Sequence, residues 1–204
     1  MSAAEMTERS ADVSPRLKAR ITGVLYLLIF AAAPSGAATA TPAKMIITLA
    51  CDIGVALILF QLLKPVSRTL SLLAALFRLI FVAVMAANSL NYFGLVDLFK
   101  SAHSSAAFNT GYGIALVPFG VHCLLIGRLI FKSIFLPRIL GVLIALAGLG
   151  YLTFLWPPFG SHLFFPYIVI PGVLGEGSLT LWLIVIGVNA RRWMEQASAA
   201  RMYT

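Results

Sequence analysis

Four ionisable residues lie inside long apolar stretches of the sequence: Asp52, Arg78, His122 and Glu176. A charged side chain at the centre of a bilayer costs at least about 2.5–3.5 kcal/mol, so each needs a partner, a water-filled cavity or a neutral protonation state. A carboxylate left outside an ion pair can bind a cation or carry a proton, and a histidine can share that proton. The sequence therefore predicts a binding or proton-relay site made of these four residues.

Arg78 can pair with either Asp52 or Glu176. With neutral His122 the other three charges sum to −1, so one proton on Glu176 or His122 would relieve the cluster. The alternative is structural, because a buried ion pair can fix how helices pack without binding anything. Similarly, a single interior histidine such as His122 is more often hydrogen-bonded within the protein than a ligand. The sequence leaves both interpretations of Arg78 open.

The composition indicates which solvent surrounds these residues. Of 204 residues, 60% are hydrophobic and 11% are charged, whereas soluble domains have roughly 45–50% and 25%. A soluble globule of this size could not cover its surface with so few charges. This composition excludes a cytosolic enzyme, a secreted disulfide scaffold and a disordered linker.

Six stretches are apolar enough to cross the bilayer as helices, which takes about 20 residues for about 30 Å of hydrocarbon. They are approximately residues 21–40, 45–63, 69–93, 111–131, 136–156 and 164–188. In lipid the backbone must be hydrogen-bonded within each segment, and these runs are too long for barrel strands. The predicted fold is all-α, a six-helix transmembrane bundle over residues 21–190. It lies between a mobile basic tail of residues 1–20 and a cytoplasmic tail of residues 191–204.

The basic residues predict the orientation of this bundle. Twelve Lys and Arg residues lie in the two tails and around the second-to-third and fourth-to-fifth connections, against Lys44 and Lys100 on the opposite side. The positive-inside rule then places both termini on the cytoplasmic side of the membrane. We expect this membrane to be a bacterial inner membrane. We expect the basic connections to meet anionic lipid headgroups, not nucleic acid. The alternative for the first stretch is a signal peptide cleaved near Ala40, against which its full crossing length argues.

Small residues predict which helix faces approach closely. Arg78 shares a helical face with Ser71, Ala74, Ala75 and Val82, and span four carries Gly113, Gly120 and Gly127 at seven-residue intervals. Such faces pack inward in membrane bundles. Glu176 lies in the segment 171–177, where a proline and three glycines predict a kinked or unwound helix. Transporters place binding sites at interrupted helices near the midplane.

A shift of 70 residues aligns the second and third spans with the fourth and fifth. It pairs Arg68 with Arg138 and Asp52 with His122, together with several leucines and alanines. One interpretation is a parallel internal repeat of the kind found in some transporters. The other is chance, since leucine-rich spans match one another easily.

The segment from Ser133 to Leu152, SIFLPRILGVLIALAGLGYL, resembles a bacterial membrane family described as a domain of unknown function, numbered 4386. Residues 19–28, residues 63–66 with Phe77 and Arg78, and residues 175–183 resemble its opening, its second hairpin and its last helix. The resemblance implies a six-helix integral membrane protein and supplies no activity. His122 lies outside the segments that carry the resemblance.

Three functions are compatible with these features. The first is a small transporter or ligand-binding membrane protein with a polar site at the midplane. The second is a non-catalytic structural or regulatory membrane subunit. The third is an intramembrane enzyme with Glu176 and His122 as acid and base. Since the chain lacks a phosphate loop, a nucleophile elbow and a metalloprotease motif, we expect no enzyme, no cofactor and no metal site. The sequence leaves open whether the lipid-embedded chain binds a partner protein or forms a homo-oligomer.

Overall fold

The computed structural model describes residues 14–34, 37–95 and 104–201, and all regular elements in these ranges are helical. The α-helices are α1 (Pro15–Ala32), α2 (Pro42–Leu63), α3 (Arg68–Tyr92), α4 (Ser105–Lys132), α5 (Arg138–Leu152), α6 (Pro157–Leu163), α7 (Val169–Val185) and α8 (Ala190–Arg201). Short 3₁₀ turns precede α2 and follow α5, and a π-helical turn, Phe164–Ile168, joins α6 to α7. The predicted all-α class is confirmed.

Polar caps and prolines decide where α1 lies. The Ser14 hydroxyl accepts a hydrogen bond from the N–H of Leu17 at 3.2 Å, and Pro15 fits the first helical turn. Ala33, which precedes Pro34, leaves the helical conformation (φ −57°, ψ 128°), as the residue before a proline tends to do. The helix therefore begins before and ends before the predicted stretch 21–40. Of the predicted tail 1–20, residues 1–13 lie outside the described residues.

Within the described ranges, five helices are long and apolar enough to cross a membrane. They are Pro42–Leu63, Arg68–Tyr92, Ser105–Lys132, Arg138–Leu155 and Pro157–Val185. The predicted multi-pass character is confirmed by these five candidate spans. The helix α1 is not among them, since it has 18 residues and includes Arg16, Lys18 and Arg20.

The long helices form a closed ring. Each of α1 to α4 packs on the next helix, α5 packs on α7, and α7 returns to α1. Glycines make the closest approach between α4 and α5, where a Cβ on Gly127 would lie 2.6 Å from the carbonyl oxygen of Gly141. A Cβ on Gly120 would lie 2.9 Å from the carbonyl oxygen of Gly148. Of the glycine stripe predicted on span four, Gly120 and Gly127 therefore pack directly on a neighbouring backbone, and Gly113 packs on the ring of Phe154.

One end of the ring is basic and filled. This basic end comprises the start of α1, the connections α2–α3 and α4–α5, and the end of α7. It carries most of the cations among the described residues: Arg16, Lys18, Arg20, Lys64, Arg68, Arg128, Lys132, Arg138, Arg191 and Arg192. Its interior is packed with fully buried Leu62, Leu129, Ile130 and Leu183. The interior of the ring is therefore closely packed at this end.

The helix α8 docks across the basic end. The indole Nε1–H of Trp193 donates to the carbonyl of Leu62 at 2.8 Å, and the N–H of Ile134 donates to Oε1 of Gln196 at 3.2 Å. These bonds tie α8 to α2 and to the α4–α5 connection. The predicted tail 191–204 is thus, over its described part, a docked helix.

Candidate functional site

Arg78 lies at the centre of the ring with 1% of its surface exposed. It occupies the middle of α3, on the face of small residues predicted from the sequence, all of which are buried: Ser71, Ala74, Ala75 and Val82. These short side chains leave room for the guanidinium between helices. A buried arginine needs hydrogen-bond acceptors for its donors.

Three side chains from three other helices supply these acceptors. The Nε–H of Arg78 donates to Oδ1 of Asp52 on α2 at 2.9 Å, and Nη2 donates to the same oxygen. Nη1 donates to the hydroxyl of Tyr26 on α1 at 2.8 Å and lies 3.1 Å from Nε2 of His122 on α4. Of the two pairings that the sequence left open, the structure selects Asp52.

The neighbours of His122 define its protonation state. Its Nδ1 lies 2.8 Å from the carbonyl oxygen of Ala74, which can only accept, so Nδ1 carries a hydrogen. Nε2 faces a guanidinium, which can only donate, so Nε2 accepts. Both ring nitrogens of the neutral ring are therefore occupied. The prediction that His122 and a free carboxylate bind a cation or carry a proton stays a prediction.

Aromatic rings complete the enclosure of Arg78. The carbon Cζ of the guanidinium lies 4.8 Å from the ring centroid of Tyr26 and 5.3 Å from that of Phe119. A cation over a ring face gains further electrostatic attraction. The cluster of Asp52, Arg78, His122 and Tyr26, here called the arginine cluster, joins α1, α2, α3 and α4. Its closed set of bonds favours a structural role for Arg78.

Glu176 has different surroundings. It lies on α7, and its Oε1 accepts a hydrogen bond from the hydroxyl of Tyr151 on α5 at 2.7 Å. Its side chain is half-buried, whereas Asp52 and Arg78 are fully buried. Glu176 is therefore held by a neutral donor, and no hydrogen bond among the described residues joins its carboxylate to the arginine cluster.

The predicted break of the helix around Glu176 is wrong. The helix α7 runs without interruption from Val169 to Val185, and Pro171 lies in its first turn, where the missing N–H breaks no helical bond. The non-helical residue is Phe165 (φ −118°, ψ 131°), in the turn between α6 and α7. The interruption is thus about three helical turns before Glu176.

Two of the three glycines around Glu176 serve packing. A Cβ on Gly175 would lie 2.8 Å from the carbonyl oxygen of Leu143, and a Cβ on Gly172 would overlap the hydroxyl of Tyr151. Because these two glycines have no side chains, α5 approaches α7 closely and the hydroxyl of Tyr151 reaches Glu176. Gly177 has nothing within 4 Å of such a Cβ.

A cavity of about 690 Å³ occupies the ring at the end opposite the basic end. Asp52, Arg78 and Glu176 line it at its deepest part, midway along the helices. The rest of the wall is mostly apolar and aromatic, and includes Met45, Leu49, Phe81, Met85, Phe108, Tyr112, Leu116, Phe119, Tyr151, Phe154, Phe164 and Phe165. Three of the four predicted site residues therefore share one cavity. His122 contacts the cluster from behind Arg78 and is not part of this wall.

Sequence reasoning missed the two tyrosines of the site, Tyr26 and Tyr151. Each was inside a segment that resembled the family, but a tyrosine in an apolar helix gives no signal of its own. Its hydroxyl needs a polar partner when buried. The two groups to which these hydroxyls bond, Arg78 and Glu176, were already predicted to lie inside helices.

Among the described residues, no three His, Cys, Asp or Glu side chains come together to hold a metal ion. Cys51 and Cys123 are free and buried. The internal repeat stays a prediction, although the paired positions Asp52 and His122 both contact Arg78, and the paired residues Arg68 and Arg138 both begin a helix.

These helices and this cavity are those of an all-helical candidate membrane protein with several spans and a charged cavity between them. A family model described as a domain of unknown function, DUF4386, matches residues 35–187. The match runs from before α2 to the end of α7 and includes all four predicted site residues. The chain belongs to this family, and the resemblance noted from the sequence is confirmed.

A relative from the archaeon Archaeoglobus fulgidus, described as an uncharacterized protein, is 32% identical over 139 residues. The aligned part covers 67% of this chain and 76% of the relative. No solved structure matches the chain significantly. Relatives of this chain therefore occur in archaea, and neither description names an activity.

Proposed function

We propose that this protein is a small transporter or ligand-binding membrane protein whose site is the central cavity, with Glu176 as its working polar group. The observation that carries the proposal is the depth of the cavity. It extends from the loops at the end opposite the basic end to a half-buried carboxylate midway along the helices. A protein that used its polar residues only for packing would have no need of this space.

In this proposal the arginine cluster is a scaffold. Asp52 and His122 hold Arg78, and Arg78 in turn holds α1 to α4 around the cavity. Glu176 lies on α7 and is bonded to one tyrosine, so its second carboxylate oxygen is available to the cavity. The binding function is thereby assigned to Glu176 alone among the four predicted residues.

The proposal includes an orientation. We propose six spans, with α1 as the first, because α1 completes the ring and exposes apolar side chains such as Leu17, Val24 and Leu27. The basic end then lies in the cytoplasm by the positive-inside rule. The cavity would open to the outer side of the inner membrane, and the packed basic end with docked α8 would close the inner side.

A matched pair of threonines tests whether the cavity is accessible to water. Thr48 lines the cavity, whereas Thr180 is buried on α7 and does not line it. Each hydroxyl donates to the carbonyl four residues earlier in its own helix, at 2.8 and 2.7 Å. The two sites therefore differ in access and little else.

Each threonine is changed to cysteine in a background whose native cysteines are alanine, and intact cells are treated with a membrane-impermeant thiol reagent. We expect Thr48→Cys to be labelled from outside at least about tenfold faster than Thr180→Cys, since a thiol must be hydrated to ionise and react. Equal and slow labelling both in intact cells and after lysis would mean a sealed interior. That result would refute the proposal and support the structural or regulatory subunit.

A further inference from the structure

We propose that the cavity binds amphiphilic amines, which are molecules with one positively charged nitrogen and an apolar body. This inference rests on the proposed function and adds the charge and shape of the ligand. The ammonium would lie against Glu176, and the apolar body would lie along the aromatic wall. Charge, wall chemistry and size each support this ligand class.

The charges that line the cavity leave one carboxylate without a cation. Arg78 is already paired with Asp52 and bonded to two further side chains. Glu176 is bonded to the neutral hydroxyl of Tyr151, and the ion pairs of the described residues do not include it. The lining charges therefore sum to −1 when Glu176 is ionised. An ammonium would complete an ion pair there, and an anionic ligand would be repelled.

Aromatic rings adjoin the carboxylate. The ring centroids of Tyr151 and Phe119 are 5.4 Å apart, and those of Phe119 and Phe81 are 4.8 Å apart. Tyr151 therefore places its hydroxyl on Glu176 and its ring in the wall. Ammonium groups gain additional attraction from the faces of such rings. A carboxylate beside aromatic faces is a suitable site for an organic cation.

The donors do not suit a metal cation. Alkaline-earth ions need several oxygen ligands at once, whereas Oδ1 of Asp52 is used by Arg78 and Glu176 is the other carboxylate on the wall. An organic ammonium needs only one carboxylate. The carboxylate of Glu176 would thus neutralise the charge of the ammonium. The rest of the cavity wall is mostly apolar, so the rest of the ligand should be apolar too.

The size and entrance of the cavity fit an amphiphile. A volume of about 690 Å³ falls in the range of roughly 300–1,000 Å³ that encloses drug-sized molecules. The helices α1 and α7 touch near the basic end, at Gly23 and Ile184, and both line the cavity at the other end. Exposed Phe30 and Val173 border the cavity between them. An apolar molecule meets apolar side chains at this border.

Three compounds with the same body test the inference: 4-phenylbutylamine, 4-phenylbutyrate and 4-phenylbutanol. Binding to the purified full-length protein is measured by thermal stabilisation and by protection of Thr48→Cys from labelling. We expect the amine to bind and the acid and the alcohol to bind at least about tenfold more weakly. Glu176→Gln should lose at least about tenfold in amine affinity, while Glu176→Asp, which keeps the charge, should retain most of it.

The outcomes separate this inference from the function on which it rests. Binding of the acid or alcohol as tightly as the amine, unchanged amine binding by Glu176→Gln, or no binding by any compound overturns the inference. In each of these cases rapid labelling of Thr48→Cys leaves the proposed function standing. If Thr48→Cys is not labelled at all, the proposed function fails first. Size-exclusion chromatography shows whether each Glu176 variant is folded.

Discussion

Removing the charge of Asp52 alone should destabilise the protein more than removing the charges of Asp52 and Arg78 together. In Asp52→Asn, a guanidinium that is 1% exposed keeps its charge and loses its only anionic partner in the described structure. Leaving one partner of a buried ion pair without the other costs about 3–5 kcal/mol. We therefore expect Asp52→Asn to lower the free energy of unfolding by that amount.

The double variant Asp52→Asn/Arg78→Gln carries two neutral amides in place of the two charges. Its amides can bond to each other, while the hydroxyl of Tyr26 and Nε2 of His122 lose their charged donor. A neutral pair avoids the uncompensated charge, so the double variant should be more stable than Asp52→Asn. The coupling energy between the two positions should be at least about 1 kcal/mol, within the range of roughly 0.5–3 kcal/mol seen for contacting residues.

The assay is reversible unfolding in mixed micelles with increasing sodium dodecyl sulfate, followed by tryptophan fluorescence. Thr48→Val is the control on the same helix, because the Thr48 hydroxyl bonds within α2 and its loss should cost about 1 kcal/mol or less. A loss of less than about 1 kcal/mol in Asp52→Asn would refute the reasoning, as would a coupling energy near zero. Either result would mean that Arg78 is not held by Asp52.

Three further predictions test the packing, the docked helix and the orientation. Gly127→Ala should lower the free energy of unfolding by about 1–3 kcal/mol because it forces α4 and α5 apart, whereas Gly177→Ala meets no atom and should be neutral or slightly stabilising. Trp193→Phe should remove one hydrogen bond, worth about 0.5–1.5 kcal/mol, and make α8 more sensitive to limited proteolysis; unchanged cleavage would argue against docking. With native cysteines replaced, Ser161→Cys should react with an impermeant thiol reagent in intact cells, and Ser198→Cys should react only after lysis. The reverse pattern would show that the protein has the opposite orientation.

Hydrogen bonding explains why we propose a structural role for Arg78 and a binding role for Glu176. A guanidinium presents five donors in a rigid fork, so enclosing it requires acceptors from several directions. Asp52, Tyr26 and His122 provide them from three different helices. A carboxylate can be oriented by fewer hydrogen-bond partners. The hydroxyl of Tyr151 orients Glu176 without neutralising its charge. The same ring of helices therefore contains a guanidinium bonded to three side chains and a carboxylate bonded to one neutral hydroxyl.

The class of the fold and the identity of the embedded charges follow from the amino-acid sequence. Apolar stretches of crossing length predict helices because lipid offers the backbone no hydrogen-bond partners. Ionisable residues within them stand out because each is costly there. Small residues in helical register also predicted the faces that pack, as Gly120 and Gly127 against α5 illustrate.

Which of these charges meet depends on how the helices pack. The carboxylates of Asp52 and Glu176 were equivalent candidates for Arg78, since spacing along a chain says nothing about the order of helices around a ring. The roles of Tyr26 and Tyr151, the neutral bonded state of His122 and the unbroken helix at Glu176 likewise depend on contacts between residues far apart in sequence. The physical reason is that helix formation in a membrane is a local requirement, whereas the pairing of buried charges depends on the whole three-dimensional arrangement of the helices.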